Sequence, residues 1–173
     1  LVSRERDPVF ILDIGSATSK LVVVEEGVVL TPHVINRGSQ DITSALSKSQ
    51  SISMIRAEEM KREIGLSKDP VHRDKREVME VVLNSIFMNA NHAVLEYEKK
   101  TRTPVTKIIL SGGGSLIKGI EEIAHKNFET EVVRADPFSK VETPSFLETT
   151  LKEAGPNFAV AVGAALRRLQ ELD

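Results

Sequence analysis

The sequence contains no cysteine and no tryptophan, and aromatic residues make up only 4% of its 173 residues. The lack of cysteine excludes disulfides, thiolate nucleophiles and cysteine-type zinc sites. The four histidines are scattered and have no metal-ligand spacing. The 23 Lys and Arg residues nearly balance the 25 Asp and Glu residues, so there is no overall basic field that would attract nucleic acid or anionic lipid.

Long apolar runs are also missing. No run approaches the roughly 18 to 20 residues needed to span a bilayer, and residues 1–7 are charged rather than signal-like. We therefore expect a soluble chain, and a reducing cytoplasm is compatible with the lack of cysteine. Hydrophobic residues at 40% and charged residues at 28% are typical of a globular protein of about one domain. The chain begins with Leu1 rather than Met, which suggests that it was cut from a longer protein.

The first part of the chain predicts an antiparallel meander. Residues 9–14 and 20–24 are short apolar runs, and the five residues between them, 15–19, are all small. Two strands joined by a small-residue turn account for this pattern. Residues 28–36 predict a third strand, in which Pro32 favours a sheet edge or a bulge.

Helical spacing dominates the middle of the chain. One helix is expected after Gly38, and a second between Ser53, a suitable N-cap, and Gly65, a suitable C-terminal stop. The apolar face predicted for the second helix consists of Ile55, Met60 and Ile64. Residues 74–100 contain no helix breaker and predict a third helix about 40 Å long. Its predicted apolar face consists of Val78, Val81, Val82, Ile86, Ala93 and Leu95.

The last third of the chain alternates between strands and helices. We expect strands at 105–110 and 131–134, a glycine loop at 112–114, and helices at 116–127 and 158–172. This order predicts a parallel βαβ unit with a right-handed crossover. Together with the opening meander, it predicts an α/β fold of the ribonuclease-H-like (actin-type) class, with a mixed five-stranded sheet flanked by helices.

We expect the chain to divide into three stretches. Residues 1–49 would form the first part of the ribonuclease-H-like subdomain, with the meander and one helix. Residues 50–73 would form a small helical insert subdomain. Residues 74–173 would supply the long helix and the remaining β-α-β-α part of the ribonuclease-H-like subdomain.

An acidic residue stands near the end of the first predicted strand. Asp13 would be costly to bury unless paired, and a metal ion, or a water that a metal ion holds, is a common partner. The small residues after it, Gly15, Ser16 and Thr18, would let backbone N–H groups and hydroxyls approach a phosphate. The alternative is a tight hairpin whose Asp caps its own turn.

Three consecutive glycines lie between a predicted strand and a predicted helix. Gly112, Gly113 and Gly114 remove every Cβ that could obstruct a ligand, and the helix that follows adds a partial positive charge. The segment matches neither the dinucleotide-binding nor the P-loop pattern. The alternative is a plain connecting turn.

Two further features are less specific. Glu58 and Lys61 are three residues apart on a predicted helix, where they could hydrogen-bond the hydroxyls of a sugar and cover a base. The alternative is a solvated ion pair. Residues 158–166 are rich in Ala and Val, and the small residues 163–165 allow close helix packing, so this segment is expected to lie in the core.

The order of these motifs resembles the second half of the actin/Hsp70-like ATPases, and it is most similar to the FtsA/PilM group. The similarity is carried by residues 13–18 (DIGSAT), 34–43 (VINRGSQDIT), 57–61 (AEEMK), 110–114 (LSGGG) and 162–165 (VGAA). The absence of an FtsA-like amphipathic membrane helix with aromatic anchors favours the type IV pilus assembly protein PilM, of which this chain resembles the C-terminal half.

The resemblance implies ATP and Mg²⁺ as cofactors. Asp13 would be the catalytic and metal residue, because it matches the position that organises the Mg²⁺-bound waters. Gly15, Ser16 and Thr18 would contact the β- and γ-phosphates.

The resemblance also assigns the adenosine end of the site. Glu58 and Lys61 match the contacts to ribose and base, and Gly112, Gly113 and Gly114 match the loop that receives the nucleoside. Residues 163–165 match the second connecting helix between the two halves of these proteins.

The function implied by the resemblance is an ATP-binding actin-like scaffold of type IV pilus assembly. It would be cytoplasmic and peripheral at the inner face of the cytoplasmic membrane, held there by partners. These partners would be PilN-like alignment proteins, bound mainly through the N-terminal half. Neither nucleic-acid binding nor membrane insertion is expected. The oligomeric state is left open, with a homo-oligomer as one alternative. We expect at most weak ATPase activity, and none from this half alone. The alternatives are an FtsA-like cell-division protein that polymerises at the membrane and a small-molecule kinase of the same superfamily.

Overall fold

The strands form one mixed sheet in the computed structural model, which describes residues 7–30 and 32–171. The strands are β1 (Val9–Ile14), β2 (Ser19–Glu25), β3 (Val28–Val29), β4 (His33–Ile35), β5 (Lys107–Ser111) and β6 (Glu131–Arg134). The helices are α1 (Ser39–Gln50), α2 (Met54–Ile64), α3 (Arg73–Thr101), α4 (Ile120–Asn127) and α5 (Glu148–Gln170).

The strand order is β3-β2-β1-β5-β6, and β4 also pairs with β2. β1 is antiparallel to β2 and parallel to β5, which is in turn parallel to β6. The expected mixed sheet with flanking helices is therefore confirmed. The third predicted strand is instead two short strands, β3 and β4, because Pro32 has no N–H with which to continue the ladder.

The core lies between one face of the sheet and helices α1, α3 and α4. Alternate residues of β1, Phe10, Leu12 and Ile14, are fully buried there together with Leu110 of β5. Helix α3 contributes Met79, Val82, Leu83, Ile86, Phe87, Ala90 and Val94. The prediction for α3 was therefore right at Val82 and Ile86 but wrong at Val81 and Leu95, which are exposed on the opposite side of the helix.

The prediction for the ends of α2 is confirmed. The Ser53 side chain caps the helix by accepting a hydrogen bond from Arg56 N, and Gly65 ends it with a positive φ of 54°. Its predicted apolar face was wrong, since the buried residues are Ala57 and Lys61 and Ile55 is exposed. The small side chain of Ala57 lets α2 lie close to α1, and Lys61 enters the contact between them.

Helix α5 differs most from expectation. It begins at Glu148 and passes through Pro156, and only Gly155, Pro156 and Ala159 are buried. The prediction that 158–166 lie in the core was wrong except at Ala159, because α5 packs only through its first half. Apart from the adjoining stretch of α5 itself, no described residue comes within 4 Å of a Cβ built on Gly163. Leu172, the last residue of the predicted helix, lies outside the described residues. Among the described helices, none has the length and apolarity to cross a bilayer.

Candidate functional site

The turn between β1 and β2 is tight and its position is fixed by α1. The N–H of Gly15 donates to the carbonyl of Thr18 at 3.0 Å, which closes the turn. The first two N–H groups of α1 hold the turn in place: Ser39 N donates to Gly15 O at 2.8 Å and Gln40 N to Ser16 O at 2.9 Å. These donors of the helix N-terminus are therefore engaged with the turn rather than free for a ligand.

Gly38 allows this close approach. A Cβ built on it would lie 2.3 Å from the carbonyl oxygen of Ser16, so any larger residue would push the turn away from α1. The N–H of Gly38 donates to the Asp41 carboxylate at 2.8 Å, which completes the N-terminal cap. The 34–43 segment thus anchors the turn in which Ser16 is exposed and Thr18 is half-buried.

Asp13 lies on β1 between Lys20 of β2 and Ser111 of β5. It is half-buried, and this burial raises the pKa of its carboxyl group, an effect that the charge of Lys20 partly offsets. A carboxylate that has lost water without gaining an equivalent partner is stabilised by a cation.

The residues around Asp13 are compatible with Mg²⁺. No group of three or more His, Asp or Glu among the described residues could hold a metal ion by itself. Mg²⁺ usually keeps several waters and takes only one or two protein carboxylates together with the phosphates of a substrate. Asp13 alone would be enough for that mode of binding.

The glycine loop after β5 has two roles. Gly112 has a positive φ of 79°, and a Cβ on it would lie 2.3 Å from Asp13 Oδ1. A Cβ on Gly114 would lie 2.3 Å from Ile14 Cγ2. These two glycines therefore allow the loop to pack against β1.

Gly113 is different, because it is exposed and lines the cleft described below. A Cβ on it would come within 2.9 Å only of Asn157 Oδ1, the end of a flexible side chain. The loop is joined to α5 by a hydrogen bond from Gly112 N to the carbonyl of Pro156 at 3.1 Å. Of the three glycines, Gly113 is the one that offers bare backbone to a ligand in the cleft.

Lys61 occupies a buried position between α1 and α2. Its side chain is only 5% exposed, and its ammonium group donates to Ser39 O at 3.2 Å, Thr43 Oγ1 at 3.0 Å and Glu58 Oε2 at 2.7 Å. An ammonium group has three hydrogens, so these acceptors use its full capacity. Lys61 therefore connects the two helices and holds Glu58.

Glu58 is an ionised carboxylate at neutral pH. Burial by itself would raise its pKa, but hydrogen bonds from Lys61 and Thr43 lower it to about 2. Thr43 Oγ1 donates to Oε2 at 2.5 Å, while Oε1 accepts a hydrogen bond from the exposed Arg62 Nε at 3.0 Å. The Oε1 side of the carboxylate is therefore held only by a solvated guanidinium.

A cleft of about 910 Å³ joins the turn, the two helices, the glycine loop and the start of α5. Four residues predicted for the site line it: Ser16, Glu58, Lys61 and Gly113. The other five, Asp13, Gly15, Thr18, Gly112 and Gly114, are not among its lining residues. Asp13 nevertheless lies against Gly112, the residue before Gly113 of the cleft lining, because β1 and β5 are parallel neighbours.

Sequence reasoning missed most of the cleft wall. The additional lining residues are Ser39, Gln40, Thr43, Met54, Ile55, Glu59, Arg62, Leu116, Ile117 and Asn157. Two apolar pairs, Met54-Ile55 and Leu116-Ile117, face a cleft that is otherwise polar. Neither pair belongs to a motif; the one available signal was the N-cap at Ser53, which placed Met54 and Ile55 in the first turn of α2.

The sheet topology, the turn beside Asp13 and the helical wall of the cleft define an actin-like ATPase fold. Solved structures share it. A PilM-PilN type IV pilus biogenesis complex has a TM-score of 0.81 and 24% identity over 95% of this chain and 46% of that one. The ethanolamine utilization protein EutJ from Carboxydothermus hydrogenoformans has a TM-score of 0.68 and 18% identity, over 94% of this chain and 49% of EutJ. MreB 5 of Spiroplasma citri, bound to AMPPNP, has a TM-score of 0.58 and 20% identity, over 95% of this chain and 56% of MreB 5.

The chain belongs to the family of the type IV pilus assembly protein PilM, whose model matches residues 3–169. The resemblance to PilM inferred from the motifs is thereby confirmed. The chain spans about half the length of the solved relatives that it matches. No relative was found among the curated proteins.

Proposed function

We propose that the chain contributes one wall of the ATP-binding cleft of an actin-like scaffold in type IV pilus assembly. One observation carries the proposal: Ser16, Glu58 and Gly113 come from three separate segments and line the same cleft. Family membership supports the pilus role and favours it over cell division and over a small-molecule kinase.

The chemistry of the cleft suits a nucleoside triphosphate. In the turn at residues 15–18 the N–H of Gly15 is bonded to Thr18 O, so the exposed Ser16 would offer its N–H and hydroxyl to the phosphates. The pairs Met54-Ile55 and Leu116-Ile117 offer apolar surface to a base, and Gly113 lets it approach the backbone. The AMPPNP bound to the MreB relative is a ligand of this class.

Asp13 would hold Mg²⁺ through its waters, and the ion would neutralise phosphate charge when bound. Hydrolysis would be weak at most, because stabilising a transferred phosphoryl group needs donors on both sides of it and this chain supplies one wall. The opposite wall would come from the other half found in the longer relatives.

Lys61 would act on the nucleotide through Glu58. The resemblance implies that Lys61 contacts the adenosine, but its ammonium group is already saturated. We therefore propose that Lys61 positions the carboxylate of Glu58. Oε1 of that carboxylate would accept hydrogen bonds from ribose hydroxyls once Arg62 moves aside.

The partner proposed is a PilN-like alignment protein. The solved relative is a PilM-PilN complex, and the resemblance assigns the PilN tail mainly to the N-terminal half of such proteins. We accordingly propose no peptide site on the described residues. Contact with a membrane-anchored partner would place the protein at the inner face of the cytoplasmic membrane.

Calorimetric titration of the chain with Mg-ATP tests the proposal. Gly113→Val should weaken binding by at least about tenfold, because the valine side chain would occupy the cleft while its Cβ meets only the end of Asn157. Gly163→Val is the matched control, since it adds the same side chain to α5 in open space. Equal affinities for the wild type and Gly113→Val would refute the site.

A further inference from the structure

The outer face of α3 carries a regular row of exposed apolar side chains. Val81, Met88 and Leu95 are 70%, 66% and 55% exposed, although each is large and apolar. They are spaced seven residues apart, so they lie almost in line along the helix, over about 21 Å. We call these three residues the α3 ridge.

The α3 ridge cannot be buried by a rotation of the helix. The opposite face of α3, which includes Met79, Ile86 and Ala90, is already fully buried against the sheet and its neighbouring helices. Single exposed apolar residues are common on protein surfaces. Three in line at seven-residue spacing form instead one row that a second helix can cover, although the residues that would complete a two-position heptad seam, Asn84 and Asn91, are polar.

The charges at the two ends of the ridge identify its partner. Asp74 and Glu77 stand at the N-terminal end, where they pair with Lys75 and Arg73 of the same helix, and Lys99 and Arg102 stand at the C-terminal end. A second α3 laid antiparallel across the first, centred on Met88, brings Glu77 opposite Lys99 of the second copy. The same alignment brings Asp74 opposite Arg102 of the second copy.

The apolar residues follow the same alignment. Val81 then faces Leu95 of the second copy, and Met88 faces its own equivalent on the two-fold axis. A parallel arrangement would instead set acidic ends against acidic ends and basic ends against basic ends, which is unfavourable. Of the two orientations, the antiparallel one therefore matches the charges at the ends of the ridge.

We propose that the α3 ridge is a self-association surface, on which a second copy of this chain docks in antiparallel orientation with a two-fold axis at Met88. Such an isologous contact is closed and gives a dimer rather than a filament. With three apolar side chains from each copy it is small, so the dimer is weak and reversible. The proposal is independent of nucleotide binding.

Cross-linking tests the two-fold axis directly, because this chain has no cysteine. Met88→Cys places the single thiol of each copy on the axis, where the two can form a disulfide. Val160→Cys, at an equally exposed position of α5 (74%), is the matched control. Under mild oxidation we expect Met88→Cys to form disulfide dimers at least about tenfold faster than the control. Equal rates would overturn the proposal.

A charge-reversal cycle tests the orientation by sedimentation equilibrium. Glu77→Lys and Lys99→Glu should each weaken the dimer by about fivefold, and the double variant should restore it. Glu77 also pairs with Arg73 on its own helix, an exposed contact whose loss leaves the fold intact. A double variant weaker than both single variants, or a wild-type chain that stays monomeric at millimolar concentration, would overturn the proposal.

Discussion

Replacement of Lys61 by methionine tests whether this residue connects α1 to α2. Methionine keeps a flexible apolar side chain but has no ammonium group, so three hydrogen bonds are lost at once. Glu58 would then keep only Thr43 and the exposed Arg62 as donors. The charge of Glu58 would be left without its closest counter-ion.

The cost follows from the burial of the two partners. Breaking a fully buried ion pair by removing one partner costs about 3 to 5 kcal/mol. Glu58 is 34% exposed, so water screens part of the loss and about 2 kcal/mol remains. The pKa of Glu58 leads to a similar figure, since a shift from 4.5 to about 2 corresponds to about 3 kcal/mol before screening.

The effect should depend on pH. Because the folded state lowers the pKa of Glu58, its pairing stabilises the protein above pH 4.5, and this contribution is lost as the pH falls towards 2. Lys61→Met should therefore cost about 2 kcal/mol at pH 7 and less than about 1 kcal/mol at pH 3. Urea unfolding followed by circular dichroism measures both values.

Lys68→Met is the matched control. Lys68 forms an ion pair of 2.5 Å with Glu122, as short as that of Lys61, but its side chain is 75% exposed. We expect a cost below about 0.5 kcal/mol at either pH. If Lys61→Met cost no more than Lys68→Met, or cost the same at both pH values, the reasoning about Lys61 would be refuted.

Four variants test the turn and the glycine loop beside the cleft. Gly114→Val should prevent folding or lower the free energy of unfolding by more than about 3 kcal/mol, because its Cβ meets Ile14. Gly113→Val should lower it by less than about 1 kcal/mol, and thermal melts distinguish the two variants. Gly38→Ala should cost about 2 kcal/mol or more in urea unfolding, since the methyl group would meet the carbonyl of Ser16. Asp13→Asn should raise the melting temperature of the ligand-free chain and weaken its binding of Mg-ATP. Because the folded state raises the pKa of Asp13, the gain in stability should be absent below pH 3.8 and present at pH 7; a gain that is equal at both would contradict this.

Local sequence signals were sufficient for the turns and caps. Ser53 and Gly65 delimit α2 as predicted. A hydroxyl that caps a helix and a backbone with positive φ each depend on the type of a single residue, so both can be recognised locally. The strands on either side of the Asp13 turn and before the glycine loop were also predicted, because β-branched runs flanked by small residues have few alternatives.

Contacts between distant segments could not be predicted. Lys61 meets Thr43 across 18 residues of sequence, and no pattern within α2 shows that a lysine will be buried there. At Gly112 and Gly114 a side chain would meet Asp13 and Ile14 on β1, a distant contact that the sequence pattern does not show. A sequence motif shows that these residues are small, but not which neighbouring atoms require them to be small.

Composition was misleading for α5. Its Ala- and Val-rich second half has the character of a core helix, yet the described residues leave it mostly exposed. Pro156 hid the true start of the helix, since proline normally stands in the first turn and here the helix begins at Glu148. Periodicity likewise identified α3 as a helix without showing which of its two apolar sides faces the sheet.

We propose that one cleft, formed by the turn between β1 and β2, α1, α2 and the glycine loop, binds Mg-ATP. Titration of the isotopically labelled chain with Mg-ATP, followed by amide chemical shifts in NMR, measures this binding residue by residue. The amides of Ser16, Thr43 and Gly113 should shift together along a single binding curve, while those of Met88 and Leu95 on α3 stay in place. Shifts confined to residues outside the cleft, or none at millimolar nucleotide, would contradict it.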